Sequence, residues 1–111
     1  MEKAEGYQFR RYRLSKYHPC LIALVKEEIG EDGKTYLSGF NMTHSISAVL
    51  NRPSRFIKII NPNPHDDAEC YLCIDPIRHK PLKHFTKPLS NWVLSKEDKP
   101  IIDKLVEEKL N

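Results

Sequence analysis

The sequence predicts a small, mainly β fold closed by a C-terminal α-helix. Short apolar runs of strand length recur along the chain, turn-forming residues separate them, and helical periodicity replaces alternation near the end. With 111 residues and 40% hydrophobic content, the chain can furnish one core. We therefore predict a single domain over residues 1–111, divided into a basic N-terminal segment at 1–15, a β-barrel at 16–94 and a closing helix at 95–110.

The first predicted element pair is a β-hairpin. Residues 20–26 are an apolar run of strand length, and Gly30 and Gly33 supply the left-handed conformations that a hairpin loop uses. Residues 34–42 then form the returning strand.

Three further strands are expected after the hairpin. Residues 55–60 are rich in aromatic and β-branched side chains, which favour strands, whereas the prolines and Asn/Asp residues of 61–67 favour turns. The fourth strand covers 69–74, and a fifth covers 78–85, where Pro81 suits a sheet edge. About five short strands with regular turns indicate a small barrel or sandwich.

The closing helix is predicted from an apolar stripe with a 3.6-residue period. The stripe consists of Ile101, Ile102, Leu105, Val106 and Leu110. Ser95 is the expected N-cap. We expect Ile101, Leu105 and Val106 to be buried against the sheet.

Composition favours a cytoplasmic protein with no membrane span. The longest unbroken apolar run, residues 21–25, is far shorter than the roughly 20 residues that a membrane helix needs. The chain shows no secretory signal pattern, and its three cysteines argue against a disulfide framework. Cys70 and Cys73 have CxxC spacing, but on a strand their sulfurs point to opposite faces, so two ordinary cysteines are favoured over a zinc or redox site.

Positive charge is unevenly distributed along the sequence. The net charge is only +3, yet residues 8–19 and 76–96 carry basic side chains and no acidic ones. This segregation is typical of a protein with one polyanion-facing side, and the alternative is an ordinary solvated surface. The candidate RNA-binding residues are Arg11, Arg13, Lys16, Lys80 and Lys83.

Three segments together resemble a known family. They are Lys-Tyr-His-Pro-Cys-Leu-Ile-Ala-Leu-Val at 16–25, Phe-Asn-Met-Thr-His-Ser at 40–45 and Cys-Ile-Asp-Pro-Ile-Arg at 73–78. Their order and spacing over residues 16–110 resemble the MazF/PemK-like toxin family, which implies an SH3-like barrel. Two positions depart from the family pattern: His18 replaces a common arginine, and Gly6-Tyr-Gln-Phe9 replaces a Gly-Asp strand.

The resemblance implies metal-independent cleavage of single-stranded RNA, with the ribose 2′-hydroxyl as nucleophile. By resemblance, His18 and Thr43 flank the scissile phosphate and Arg78 lies near the same cleft, while His44 is a second candidate for proton transfer. Histidine can exchange protons near neutral pH, and a guanidinium binds phosphate through two donors. Structural alternatives are a strand-capping His18, an ordinary Thr-His-Ser turn, and an Arg78–Asp75 ion pair.

Two functions follow as hypotheses. The first is a toxin-like endoribonuclease, a possible homodimer neutralised by an antitoxin protein, and retention of Thr43 and Arg78 favours it. The second is a catalytically inactive SH3-like module that binds RNA or a protein partner, which the loss of arginine at position 18 favours. No metal or cofactor is predicted, because the sequence offers neither zinc-ligand spacing nor a glycine-rich phosphate loop.

Overall fold

An antiparallel sheet of six strands is the main element of the computed structural model, which describes residues 5–111. The strands are β1 (Tyr7–Tyr12), β2 (His18–Ala23), β3 (Glu28–Ile29), β4 (Thr35–Thr43), β5 (Phe56–Ile59) and β6 (Cys70–Pro81). They follow the order β1-β2-β4-β6-β5, and β3 pairs with β4. The sheet curls into an open half-barrel, and two helices, α1 (Ile46–Asn51) and α2 (Lys99–Leu110), complete the fold. The predicted mainly β class with a C-terminal helix is confirmed.

The inner face of the sheet packs against α2 and carries the larger apolar cluster. Phe9, Leu21, Phe40 and Leu72 contribute from four strands. From the helix, Ile102, Leu105 and Val106 are buried at i, i+3 and i+4. Ile101 is 54% exposed, so its predicted burial is wrong: the buried stripe is centred one residue later, which turns Ile101 to the margin.

The outer face carries a smaller apolar cluster. It consists of Tyr12, Cys20, Ile22, Leu37, Ile77 and Phe85. A 3₁₀ turn, Leu82–His84, lies beside this cluster, and Leu82 packs on it. The Tyr12 and Phe85 rings stack at 4.9 Å between centroids.

Strand β1 lies within residues 1–15, which the sequence analysis assigns to a basic N-terminal segment outside the barrel. That assignment is wrong for residues 7–12. Tyr7–Tyr12 pairs with β2 along its whole length, and Tyr7 and Phe9 are buried on the inner face. Residues 1–4 lie outside the described part of the chain. Aromatic and polar side chains alternate at the start of this strand, which is a strand signal that the high positive charge of the segment obscures. On its other side β1 accepts hydrogen bonds from Thr86 N–H to the Arg11 carbonyl (2.9 Å) and Leu89 N–H to the Phe9 carbonyl (2.8 Å).

Strand β6 is one continuous strand where the sequence predicts two, at 69–74 and 78–85. The chain passes through Pro76 without leaving the sheet, because the register against β4 shifts on both sides of the Pro76–Phe40 pair. The end of the predicted fifth strand is instead the Leu82–His84 turn. Opposite this irregular pairing, β4 approaches β2 so closely that a Cβ at position 39 would clash with the Leu21 carbonyl oxygen, which explains Gly39.

Helix α2 begins later than the sequence analysis predicts. Asp98 occupies the N-cap position, and Ser95 instead closes the preceding turn by accepting the Glu97 N–H at its Oγ (3.1 Å). Asp98 is buried, its Oδ2 accepts the Ile60 N–H at 2.9 Å, and burial raises its pKa. No helix among residues 5–111 is long and apolar enough to cross a membrane.

Candidate nucleic-acid interface

The β1–β2 hairpin has a strained and exposed tip. After the 3₁₀ turn Arg13–Ser15, Lys16 and Tyr17 both adopt left-handed backbone conformations, with φ of 52° and 59°. Each such residue costs roughly 1 to 2 kcal/mol when it is not glycine. The Tyr17 N–H donates to the Tyr12 carbonyl at 3.0 Å, which holds the turn closed. Leu14 and Tyr17 are 66% and 51% exposed at this tip.

Arginines and aromatic rings alternate beside this tip in a row that we call the hairpin ladder: Trp92, Arg11, Tyr17 and Arg13. The Arg11 Cζ lies 5.8 Å from the centroid of the Trp92 ring, and its Nη1 donates to the Tyr17 carbonyl at 3.1 Å. The Arg13 Cζ lies 5.9 Å from the Tyr17 ring centroid. Both guanidinium groups are therefore placed by ring and carbonyl contacts.

The cations of the hairpin have no acidic partners. Within residues 5–111, neither Arg11, Arg13 nor Lys16 forms an ion pair with a carboxylate. The same holds in this part of the chain for Lys80, at the end of β6, and for Lys83, in the Leu82–His84 turn. The five candidate RNA-binding residues thus form two groups, one at the hairpin and one beyond the Tyr12–Phe85 pair.

In contrast to the hairpin cations, Arg55 and Lys58 near β5 are paired with carboxylates. Arg55 donates to both oxygens of Asp75 at 2.7 Å, and Lys58 donates to Glu69 at 3.0 Å. Because Asp75 pairs with Arg55, the alternative of an Arg78–Asp75 ion pair is wrong. These pairs, together with the 3.9 Å approach of His44 to Asp66, make a locally neutral surface.

His18 and Thr43 are aligned at one end of the sheet. Cys20 lies opposite Asn41 in the β2–β4 register, and continuing that register by two residues brings His18 level with Thr43. The side chains of Cys20 and Asn41 meet across the strands, with Sγ 3.2 Å from Oδ1, so His18 and Thr43 share the outer face with them. Thr43 Oγ1 accepts the Ser45 N–H at 3.0 Å.

Arg78 and His44 are placed elsewhere. Arg78 and His79 together face Ser38 in the register shift between the Gly39–Ile77 and Leu37–Lys80 pairs, which is five residues along β4 from Thr43 and thus roughly 16 Å away. The structure therefore does not bring Arg78 beside His18 and Thr43. His44 follows Thr43, and its Nδ1 lies 3.3 Å from the Glu69 carbonyl oxygen.

The aromatic members of the ladder are not among the candidate residues predicted from the sequence. Tyr17 follows Arg13 and Lys16, and an aromatic side chain among cations is itself a signal of nucleic-acid binding. Trp92 gave no comparable signal, because its approach to Arg11 depends on the way residues 85–89 return along β1.

Two of the three cysteines, Cys20 and Cys70, are buried in the fold. Burial raises the pKa of the Cys20 thiol to about 12 and that of the Cys70 thiol to about 11, so both stay protonated at neutral pH. Cys73 is half-buried on the opposite face of β6 from Cys70. Across the described residues, no three metal-ligating side chains come together in a way that could hold an ion.

Comparison with known proteins returned no matching family model, no matching curated protein and no matching solved structure. The resemblance to MazF/PemK-like toxins therefore depends on the three sequence segments alone.

Proposed function

We propose that this protein binds single-stranded RNA at the β1–β2 hairpin. The observation that carries the proposal is the hairpin ladder, in which exposed Tyr17 stands between guanidinium groups that no carboxylate of the described chain neutralises. Guanidinium groups bind phosphate oxygens through paired donors, and an exposed ring offers a face on which a base can stack.

The geometry favours unpaired nucleotides over a duplex. Bases within a duplex have both faces covered by their neighbours, so they cannot stack on a protein ring. The ladder presents one exposed ring at the tip, with Lys16 before it in the sequence and the Arg13 guanidinium over the ring. The strain at Lys16 and Tyr17 supports a binding role as well, since strained backbone is often found at functional sites.

Fluorescence anisotropy with a labelled, unstructured RNA oligonucleotide tests the proposal. Tyr17→Ala should weaken binding roughly tenfold, because stacking one base on an aromatic ring contributes about 1 to 3 kcal/mol. Tyr71→Ala is the matched control, since Tyr71 is an aromatic residue beside the paired charges and its hydroxyl donates to Glu69 at 2.7 Å. Equal affinities for the two variants, or no binding by the unmodified protein at low salt, would refute the proposal.

RNA cleavage is a second candidate function, and the alignment of His18 with Thr43 favours it. If His18 transfers a proton, His18→Ala should slow cleavage by about 10² to 10⁴ and leave RNA affinity nearly unchanged. The phosphate-binding cation would then come from Arg13 or Lys16, because Arg78 lies roughly 16 Å along the strand from Thr43. Products with a cyclic phosphate and a free 5′-hydroxyl, formed equally in the presence of chelator, are expected. Intact RNA after incubation with the purified protein would exclude cleavage without affecting the binding proposal.

The remaining implications of the family resemblance stay predictions. They are an antitoxin partner, a homodimer and a place in the cytoplasm. His18→Arg is informative here, since it restores the residue that the family commonly carries, and a gain of cleavage would identify the protein as a silenced relative.

A further inference from the structure

A shallow groove of about 390 Å³ lies where the start of β4 meets the end of β6. It is lined by Lys34, Thr35, Pro81, Leu82 and Lys83. Pro81 and Leu82 give it an apolar wall, and Leu82 also packs on the outer apolar cluster. Thr35 supplies a hydroxyl group, and a lysine stands on each side. The groove thus combines a small apolar surface with positive charge.

Lys83 is the cation in this groove that is available to a ligand. It is exposed and has no ion-pair partner within residues 5–111, and Lys80, three residues earlier in the chain, has none there either. Lys34 is less available, because its charge acts on the neighbouring Asp32 and helps lower the pKa of that carboxyl, after hydrogen bonds from Tyr36 and the Lys34 N–H. No carboxylate lines the groove.

The segment that leaves the groove leads along the outer face to the base of the hairpin. The Leu82–His84 turn leads directly into Phe85, which forms a β-bridge with Tyr12 and stacks on its ring. Tyr12 in turn accepts the Tyr17 N–H through its carbonyl. Leu82 and Phe85 are three residues apart and therefore at most about 11 Å from each other. Thr35 in the groove is eight residues along β4 from Thr43, which is level with the hairpin, so roughly 26 Å of extended RNA, several nucleotides, connects the two contacts.

We propose that this groove binds one nucleotide of the RNA held at the hairpin. The base lies against Pro81 and Leu82, the Thr35 hydroxyl meets the edge of the base, and Lys83 binds the adjacent phosphate. Small-molecule sites commonly enclose about 300 to 1,000 Å³, so a groove of 390 Å³ is at the lower end and suits a single nucleotide. This inference rests on the proposed RNA binding and adds a second, separate contact to it.

Titration of ¹⁵N-labelled protein with adenosine 5′-monophosphate tests the groove directly. Amide signals of Thr35, Leu82 and Lys83 should shift together. Adenosine and ribose 5-phosphate are the matched half-ligands, and each should bind at least about tenfold more weakly, because each lacks one of the two contacts. If ribose 5-phosphate binds as well as the whole nucleotide, the apolar wall takes no base and the inference is overturned. The absence of any shift at these three amides overturns it too.

Variants separate this site from the hairpin. Lys83→Ala should lower nucleotide affinity about tenfold, since it removes a charged contact to phosphate. Lys104→Ala should leave the affinity unchanged, because Lys104 is on α2 with Glu108 as its partner at 4.0 Å. Tyr17→Ala should weaken RNA binding and leave binding of the mononucleotide intact. If Tyr17→Ala weakens RNA binding but the nucleotide never shifts the groove signals, the groove inference fails and the proposed function stands. In the opposite pattern the hairpin proposal fails, and with it the link between the groove and hairpin-bound RNA, while the groove is still shown to bind a nucleotide.

Discussion

Helix α2 and the β1–β2 hairpin both carry lysine or arginine at the surface, but they hold these charges in opposite ways. On α2, Lys99 pairs with Asp103 at 2.6 Å, and the helix buries its apolar stripe against the sheet. At the hairpin, Arg13 lies over an exposed tyrosine, two residues have left-handed backbone, and neither Arg13 nor Lys16 forms an ion pair with a carboxylate of the described chain. The comparison places the stabilising contacts and the proposed binding contacts in different parts of this small molecule.

The largest expected effect comes from the inner core. Leu105→Ala removes a buried side chain from the contact between α2 and the sheet, and should lower the free energy of unfolding by roughly 2 to 5 kcal/mol. Urea denaturation measures the change. RNA affinity of the folded fraction should not fall. A loss of less than about 0.5 kcal/mol, the range of surface substitutions, would contradict the packing described for α2.

The salt dependence of binding tests the hairpin charges. Arg13→Ala combined with Lys16→Ala should reduce the log–log slope of RNA affinity against salt by about 1.4, because each lost phosphate contact changes it by about 0.7. The matched double variant on α2 is Lys99→Ala with Lys104→Ala. Both of those lysines have carboxylate partners, so the slope should stay as in the unmodified protein. Equal slopes in all three proteins would show that the hairpin cations contact RNA phosphates no more than the paired lysines of α2 do.

Relief of backbone strain should have a smaller effect, with opposite signs for stability and binding. Tyr17→Gly places the residue that tolerates positive φ at a position where φ is 59°. We expect the free energy of unfolding to rise by up to about 1 kcal/mol, since the strain removed exceeds the added chain entropy of glycine. RNA affinity should fall as in Tyr17→Ala. A glycine variant that is destabilised would show that the Tyr17 side chain supports the fold.

The smallest effect concerns the pH dependence of stability at the start of α2. Burial raises the pKa of Asp98, so the folded state holds this proton more tightly than the unfolded state. The stability that protonation of Asp98 provides is present below the ordinary carboxyl pKa of 3.8 and is lost as pH rises through the raised pKa of the folded state. Asp98→Asn keeps an acceptor for the Ile60 N–H and removes the titration.

Urea denaturation of both proteins from about pH 3 to about pH 7 measures this difference. Stability of the unmodified protein should fall relative to Asp98→Asn as pH rises. Asp103→Asn provides a contrast of opposite sign: although burial opposes it, hydrogen bonds from Lys99 and Tyr7 lower the pKa of Asp103, so its contribution is lost as pH falls. A constant difference between the unmodified protein and Asp98→Asn would show that the buried carboxyl does not titrate in this range.

The elements that sequence analysis predicted best are those whose signals are local. The apolar run of β2, the β-branched residues of β5 and the 3.6-residue stripe of α2 each identify an element from a few neighbouring side chains. The two strands predicted at 69–74 and 78–85 form one strand instead, because the shifted register against β4 lets the chain continue through Pro76. In the same way, the stripe identified α2 but not its rotation, so Ile101 was expected to be buried.

The candidate site was less predictable because its geometry depends on distant pairings. Arg11, Arg13 and Lys16 could be predicted as a group since they are close in sequence. The distance between Arg78 and Thr43 follows from where β6 aligns with β4, and two register shifts set that alignment. The contact of Arg11 with Trp92 requires residues 85–89 to lie along β1, which no short segment of sequence encodes.

The contacts of β1 also have a consequence for synthesis of the chain. Residues 85–89, which lie along the free side of this strand, are translated more than 70 residues after it. The Tyr7 hydroxyl donates to Asp103 at 2.5 Å, so this hydrogen bond of β1 also cannot form until α2 has been translated. The nascent polypeptide therefore keeps Phe9 and its neighbours without their partners until α2 has been made, and the domain cannot complete its folding before that point.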